Sequence, residues 1–335
     1  MYEQWIIALL VAPLVIAFES FALRGTKNRT VCTAFHITGL ILMLFFSVQV
    51  ISGVLEKGSI SAFNNWVYVD SLSAIFLGLI AVVGSLAGVY SIGYMNTELE
   101  EGHIDFKTYA HYHGFLHLFF FTMIVSVITN NLILMWVAIE ATTLSSAFLV
   151  GTYKQKTSLE AAWKYIIICS VGVAFGLYGT LLTFANANGV LADPSQAIFW
   201  SAVNQQATGL NPMLMYIAFA FVLIGFGTKC GLFPMHTWLS DAHSEAPSPV
   251  SAILSAVLLN CAMLVVLRYY TLVSKAVDAE FPQTLMLIFG LLSVLVAALF
   301  IIVQFDIKRL LAYSSIENMG LISFALDRKS TRLNS

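Results

Sequence analysis

The chain has 335 residues, of which 59% are hydrophobic and only 10% are charged. Soluble domains carry about 25% charged residues, so the composition excludes that class and indicates a membrane protein in a lipid bilayer. The formal net charge of −2 argues against a nucleic-acid partner, and four single cysteines without metal-ligand spacing argue against a disulfide framework or an iron–sulfur site.

Apolar segments long enough to cross the roughly 30 Å hydrocarbon core recur along the chain, and each predicts a transmembrane helix. In chain order they are Trp5–Leu23, Val31–Val54, Ser71–Tyr94, His113–Ile128, Leu132–Gly151, Tyr165–Ala187, Pro212–Phe233, Pro249–Thr271, Leu285–Val303 and Leu310–Leu326. The fold class predicted from these ten segments is an all-α polytopic membrane protein.

The loops between these segments predict the orientation and contain no soluble domain. Basic residues such as Arg24, Lys107, Lys154 and Lys308 gather in alternate loops, which places the N-terminus outside by the positive-inside rule. No loop carries a GxGxxG or Walker sequence, so we expect no cofactor in this chain. The basic residues at 327–335 fit poorly at the outside end of a span, and we expect a truncated chain with a non-native tail there.

Lys229 lies inside the seventh apolar segment, where a charge costs about 2.5–3.5 kcal/mol on insertion scales. Gly227 and Gly231 flank it and Pro234 follows, a combination that breaks or loosens a helix. An amine in a disrupted transmembrane helix is a candidate proton carrier.

Glu140 is a second charge within an apolar segment, and it is the candidate partner of Lys229. Two such groups would titrate as a coupled pair. The alternative is a static buried ion pair that only holds helices in register. Sequence separation does not decide between them.

A polar stretch that follows Lys229 carries His236, Asp241 and His243 between prolines. Irregular backbone at membrane depth occurs where it is buried in protein or lines a watery cavity, and histidine suits proton relay near neutral pH. We therefore predict His236 and His243 as relay residues, with Asp241 and Glu317 as further relay candidates. The alternative is an ordinary interfacial loop with solvated histidines.

His111, His113 and His117 form another group, with the last two one helical turn apart. This spacing can bind a metal, but no acidic or cysteine partner lies nearby in the sequence. The pattern favours satisfied interfacial histidines, and no metal site is predicted.

Several long motifs resemble the antiporter-like subunits of respiratory complex I and membrane-bound hydrogenases. They are Trp136–Glu140, Gly227–Lys229, Pro234–His243, Ala246–Ala252 and Asp306–Gly320. Two further motifs, Glu140–Gly151 and Leu159–Tyr165, resemble the F component of hydrogenase-4-type complexes.

The resemblance implies an inverted-repeat antiporter-like fold with a broken seventh helix. It assigns 1–110 to three N-terminal helices, 111–271 to the first five-helix repeat and 272–326 to the start of an incomplete second repeat. It also implies that Glu140 and Lys229 form the coupled pair, with His236 and His243 in the relay region. Asn260 stands where relatives often carry a lysine, which departs from the family pattern.

The function implied by the resemblance is proton translocation, driven by electron transfer in partner subunits. The implied partners are other membrane subunits and a peripheral redox arm, in a bacterial or archaeal cytoplasmic membrane. Two alternatives stay open, a secondary Na⁺ or K⁺/proton antiporter subunit and a structural anchor for a hydrogenase-like arm. The chain itself carries no predicted redox site.

Overall fold

The computed structural model describes residues 2–26 and 28–326, so the expected non-native tail at 327–335 lies outside the described residues. The helices are α1 (Tyr2–Ala22), α2 (Arg29–Lys57), α3 (Ser71–Glu100), α4 (Phe106–Ile128), α5 (Leu132–Val150), α6 (Lys156–Asn188), α7 (Trp200–Gln205), α8 (Pro212–Cys230), α9 (Thr237–Glu245), α10 (Ser248–Ile253), α11 (Leu259–Ala276), α12 (Glu280–Ile302) and α13 (Ile307–Ala325). A π-helical turn, Leu254–Leu258, joins α10 to α11 without a break.

The all-α membrane fold predicted from the sequence is confirmed. Within 2–26 and 28–326, nine helices are long and apolar enough to cross a membrane, with α10 and α11 counted as one continuous span. The tenth predicted span coincides with α13, a helix of 19 residues that does not reach the same hydropathy. Its polar content comes from residues such as Lys308, Arg309 and Glu317.

Polar residues set the beginnings of several helices. The side chains of Asn28, Asp70, Asp105, Asn211 and Asp306 each accept a hydrogen bond from a backbone N–H in the first turn of the helix that follows. These caps satisfy donors that have no partner inside the helix, and they fix where a span meets the more polar boundary of the membrane.

A short β-hairpin between α2 and α3 is absent from the sequence-based prediction. Strand β1 (Ser59–Ala62) pairs antiparallel with β2 (Val67–Asp70), with Ser59 opposite Asp70 and Ala62 opposite Val67. Its turn places Phe63, Asn64 and Asn65 at positive φ, at 54°, 52° and 69°. Asparagine tolerates that conformation, which makes a tight reversal possible here.

The described chain divides into two compact units. The first takes in the chain up to Thr129 together with Ala138–Ile166 and Glu245–Leu258. In it, α1 packs on α2 and α4, α2 packs on α3, and α3 packs on α4 and α10. Small residues bring these helices close, since a Cβ at Gly88 would lie 2.6 Å from Leu40 Cδ2.

The second unit takes in Asn130–Val137, Ile167–Ser244 and the chain from Leu259. In it, α8 packs on α11 and α12 packs on α13. The second half of α6 approaches α8 at backbone distance, because a Cβ on Gly225 would lie 2.2 Å from the Gly176 nitrogen. The repeat boundaries expected at 110 and 271 stay a prediction.

Candidate functional site

The break predicted in the seventh span is present. Helix α8 ends at Cys230, and Gly231 adopts a left-handed conformation with φ 73° and ψ 26°. The Gly231 N–H donates to the Thr228 carbonyl at 3.1 Å and the Leu232 N–H to the Gly227 carbonyl at 2.9 Å. These bonds close the helix end in the way a glycine at this position typically does. The chain becomes helical again at Thr237, the start of α9.

Lys229 lies in the last turn of α8 and its side chain has no solvent exposure. Its Nζ lies 5.7 Å from the centre of the Trp238 ring. The indole Nε1–H of Trp238 donates to the Thr228 carbonyl at 2.9 Å, which fixes the ring beside the lysine. A cation is stabilised both by the carbonyl end of a helix and by an aromatic face, so this environment supports a buried amine that can carry charge.

His236 and His243 are also buried, at 7% and 3% exposure. The His236 ring lies 5.6 Å from the ring of Phe233 and 6.5 Å from the ring of Tyr313 on α13. This burial rules out the alternative of an ordinary loop with solvated histidines. Both residues follow Lys229 in the same compact unit, while their relay role stays a prediction.

The two further relay candidates occupy different surroundings. Asp241 on α9 pairs with Arg309, with 3.0 Å between Oδ1 and Nη2, and its side chain is 26% exposed. Next to it, Lys308 Nζ donates to the Ser244 carbonyl at 3.4 Å. The sequence-based prediction did not include this ion pair, although the adjacent basic residues Lys308 and Arg309 indicated possible partners for an acidic side chain. Glu317 is half-buried on α13.

Glu140 lies on α5, in the compact unit that also contains α1 to α4. The residue is half-buried and its Oε2 atom is inaccessible to solvent. Four hydroxyl residues follow it on the same helix and are almost fully buried, namely Thr142, Thr143, Ser145 and Ser146. Sequence reasoning noted only that Thr and Ser follow the carboxylate. The pairing of Glu140 with Lys229 stays a prediction.

The histidine group of α4 differs from the expectation. His113 and His117 have no solvent exposure, and both ring nitrogens of His113 and the Nδ1 of His117 lack a hydrogen-bond partner among the described residues, so the expectation of satisfied histidines is wrong for both. They meet His36 of α2, which is equally buried, and His36 Nδ1 lies 2.9 Å from His117 Nε2. The sequence reasoning missed His36 because it lies 81 positions from His117. Within the described residues, no three His, Cys, Asp or Glu side chains are arranged to hold a metal ion.

Comparison with known proteins identifies the family. Residues 129–331 match the family described as "NADH:quinone oxidoreductase/Mrp antiporter, TM". The chain belongs to this family. Residues 61–104 match a second description, "NADH-Ubiquinone oxidoreductase (complex I), chain 5 N-terminus". Both matches confirm the resemblance inferred from the motifs around Glu140, Lys229 and His236.

Individual relatives are similar over most of this chain. A protein named Hydrogenase-4 component F homolog, from Methylacidiphilum infernorum, is 44% identical over 257 residues, 77% of this chain and 54% of that protein. A Na(+)/H(+) antiporter subunit A1 of Staphylococcus aureus is 29% identical over 294 residues, 84% of this chain and 34% of that protein. The chain therefore spans about half the length of the first and a third of the second.

A solved structure shows the same fold. A chain of the membrane-bound sulfane sulfur reductase, an archaeal respiratory membrane complex, superposes with a TM-score of 0.83 and 23% identity. The match covers 96% of this chain and 64% of that one. This likeness shows that the two chains share a fold.

Proposed function

We propose that this chain is a proton-translocating membrane subunit of a redox-driven complex. The observation that carries the proposal is Lys229, a fully buried amine at the end of a broken helix. A charge at this depth is costly and is retained mainly where it serves transport or a proton relay.

The surroundings of Lys229 support reversible protonation. Its charged form is favoured by the α8 carbonyl end and the Trp238 ring, and disfavoured by complete burial. Because these effects oppose one another, a nearby charge can change the proton affinity of the amine. A change of one pKa unit corresponds to about 1.36 kcal/mol, so a rearrangement of that size changes the proton affinity of the amine tenfold.

Glu140 is the proposed source of that change. If the carboxylate approaches and withdraws during turnover, the proton affinity of Lys229 rises and falls with it. His236 and His243 follow Lys229 along the chain and are buried, which fits a relay from the amine. Each of these roles is a proposal about the four residues Glu140, Lys229, His236 and His243.

The proposed partners are further membrane subunits and a peripheral redox arm of a hydrogenase or complex I-like assembly. The relationship to the hydrogenase-4 component F homolog favours a bacterial or archaeal cytoplasmic membrane. The redox cofactors would belong to those partners. Electron transfer in those partners would change the position of the Glu140 carboxylate or the charges near it.

A second candidate is a secondary cation/proton antiporter subunit. It is favoured by the similarity to a Na(+)/H(+) antiporter subunit A1. In that function an ion gradient, rather than electron transfer, would change the protonation of Lys229. A structural anchor remains the third candidate, and for it the buried charges would have no transport role.

Inverted membrane vesicles that contain the full-length protein in its complex separate these functions. Acidification of the lumen is measured with an electron donor, and separately with an imposed Na⁺ or K⁺ gradient and no donor. The proposal expects acidification when only the electron donor is supplied. In Lys229→Ala it expects acidification to fall to the level set by the remaining subunits, while electron transfer continues or slows. Gradient-driven exchange without a donor would favour the antiporter. Unchanged pumping in an assembled Lys229→Ala complex would overturn a transport role for the lysine.

A further inference from the structure

Three buried histidines, His36 on α2 and His113 and His117 on α4, form a cluster that we call the histidine trio. All three belong to the first compact unit and none is among the residues assigned to the proposed function. The ring centres of His36 and His113 lie 4.4 Å apart, and those of His36 and His117 lie 5.0 Å apart.

The hydrogen bonds of His36 determine where the hydrogens lie when the rings are neutral. His36 Nε2 lies 3.0 Å from the Gly88 carbonyl, which can only accept, so Nε2 carries the hydrogen. His36 Nδ1 is then an acceptor, and it receives the Nε2–H of His117 at 2.9 Å. His117 Nδ1 is left as a bare lone pair.

That lone pair and both ring nitrogens of His113 are buried and lack a hydrogen-bond partner among the described residues. Native proteins satisfy most buried polar atoms, and a group of unsatisfied ones requires a reason such as a bound water, an ion or a chemical role. Three such nitrogens in one cluster therefore point to a ligand.

The trio also has a polar connection toward one end of the helices. The Tyr109 ring lies 4.7 Å from the His113 ring. The Tyr109 hydroxyl contacts Thr33 Oγ1 and donates to Asn96 Oδ1, each at 3.0 Å. Thr33 and Asn96 are partly exposed, near the ends of α2 and α3 that face inside by the positive-inside rule.

The histidine trio lies close to the end of the helices from which this connection starts. His36 lies seven residues beyond Arg29, the first residue of α2, which corresponds to about 10 Å along the helix. Arg29 itself pairs with Glu100 at the exposed end of α3. Polar side chains thus lead from the membrane face to the Tyr109 hydroxyl, and the ring of Tyr109 contacts the ring of His113.

We propose that the histidine trio is a proton-binding site in the membrane, reached from the end of α2, α3 and α4 that carries Arg29 and Glu100. The proton adds to the lone pair of His117 Nδ1, delivered by water through the Tyr109 region and His113. The resulting imidazolium keeps its Nε2–H donated to His36 Nδ1, which makes that hydrogen bond charge-assisted and stronger. Release reverses the step at Nδ1.

Aromatic rings surround the proposed site. The ring of Phe120 lies 5.8 Å from the His117 ring, and the rings of Tyr109 and Tyr112 lie 4.7 and 5.3 Å from the His113 ring, all edge to face. An aromatic ring attracts a cation over its face within about 6 Å, and Phe120 lies within that distance of His117. Tyr109 and Tyr112 are titratable side chains on α4 whose rings contact the trio. Cys32 on α2 lies one turn before His36, Tyr94 on α3 lies one turn after Ser91, and Glu19 is the titratable residue in the last turn of α1. On α3 the trio meets Gly88 and Ser91, which do not titrate.

The test is solid-state ¹⁵N NMR of the complete complex in liposomes, with histidine labelled in the full-length protein, between pH 4 and pH 9. We expect an imidazolium signal that exchanges protons with water, assigned to the trio because it disappears in His117→Gln. It persists in the control His103→Gln, since the His103 side chain is 58% exposed in a loop and is remote in sequence from α2. A trio that stays neutral over this range and shows no contact with water would overturn the proposal.

A second variant, Gly39→Ala, tests the proposal independently in case His117→Gln does not fold. A Cβ on residue 39 would lie 2.5 Å from His117 Cε1, so Gly39→Ala displaces the ring without removing a titratable group. We expect the imidazolium signal to shift its midpoint or vanish in Gly39→Ala. An unchanged signal would assign it to another histidine and contradict the proposal. The signal is expected to survive Lys229→Ala, so failure of the proposed pumping role and failure of this site are distinguishable.

Discussion

Two glycines of α8 provide a sharp test of how Lys229 is positioned. A Cβ on Gly225 would lie 2.2 Å from the Gly176 nitrogen and 2.5 Å from its Cα, both backbone atoms of α6. Restoring an ordinary contact of 3.4 Å requires the helices to separate by about 1.2 Å. In Gly227→Ala, by contrast, the closest contact is 3.6 Å, to the Leu232 side chain.

Both substitutions gain about 1 kcal/mol of helix propensity, because alanine replaces glycine inside a helix. For Gly227→Ala no steric clash opposes this gain, so we expect the free energy of unfolding to stay the same or rise slightly. Overpacking against backbone costs about 3 kcal/mol, at the upper end of its usual range, so Gly225→Ala should lose about 2 kcal/mol net. For a chain of 335 residues, an unfolding entropy of about 2.1 cal/mol/K per residue converts this loss into a fall in Tm of roughly 3 °C.

The two variants are compared with wild type by thermal unfolding of the full-length protein in its complex, in lipid nanodiscs. The same preparations are assayed for redox-driven acidification, since separation of α6 from α8 displaces the helix that carries Lys229. Equal Tm values for Gly225→Ala and Gly227→Ala would refute the backbone contact between the two helices. Equal values would also contradict a role of this contact in holding Lys229 in place.

Two further predictions follow from the helix ends. Gly231 and Gly102 both have positive φ, at 73° and 75°, but a Cβ on Gly231 would lie 2.5 Å from Leu239 Cδ1, whereas a Cβ on Gly102 would have no neighbour within 4 Å. Gly231→Ala should therefore lower the free energy of unfolding by about 1–2 kcal/mol more than Gly102→Ala. Equal losses in thermal unfolding would contradict this expectation. Asp105→Ala removes the N-cap of α4 and should cost about 1 kcal/mol. The side-chain hydroxyl and backbone N–H of Thr108 hold the pKa of Asp105 below its usual value. The cap therefore contributes fully above the unfolded pKa of about 3.9 and is lost as the pH falls through the lower folded pKa. Hydrogen exchange at the start of α4 should increase in that acidic range in wild type and be insensitive to it in Asp105→Ala.

The helices were predictable because bilayer-length apolar runs leave the backbone few alternatives. The break after Lys229 was also predictable, since glycine and proline surround it. Its position was not, because the predicted span continued to Phe233 while α8 ends at Cys230. The left-handed conformation of Gly231 ends the helix earlier, and only tertiary packing against residues such as Leu239 selects that glycine.

The remaining differences come from contacts between distant parts of the chain. The β-hairpin consists of two four-residue strands whose pairing depends on a turn of residues at positive φ, a signal too short for periodicity to reveal. The histidine trio joins α2 to α4 across 81 positions, and neither helix alone indicates that its histidines are buried. The ion pair between Asp241 and Arg309 spans 68 positions in the same way.

The number of protons translocated per electron in Lys229→Met is the most direct test of the proposed function. Methionine keeps an unbranched side chain beside Trp238 and removes the ammonium group with its charge and its hydrogen-bond donors. Lys164→Met, at a lysine 48% exposed, is the matched control. We expect the ratio to fall to the value set by the remaining subunits in Lys229→Met, and to match wild type in Lys164→Met. A wild-type ratio in Lys229→Met, with the complex assembled and electrons flowing, would contradict a proton-carrying role for this lysine.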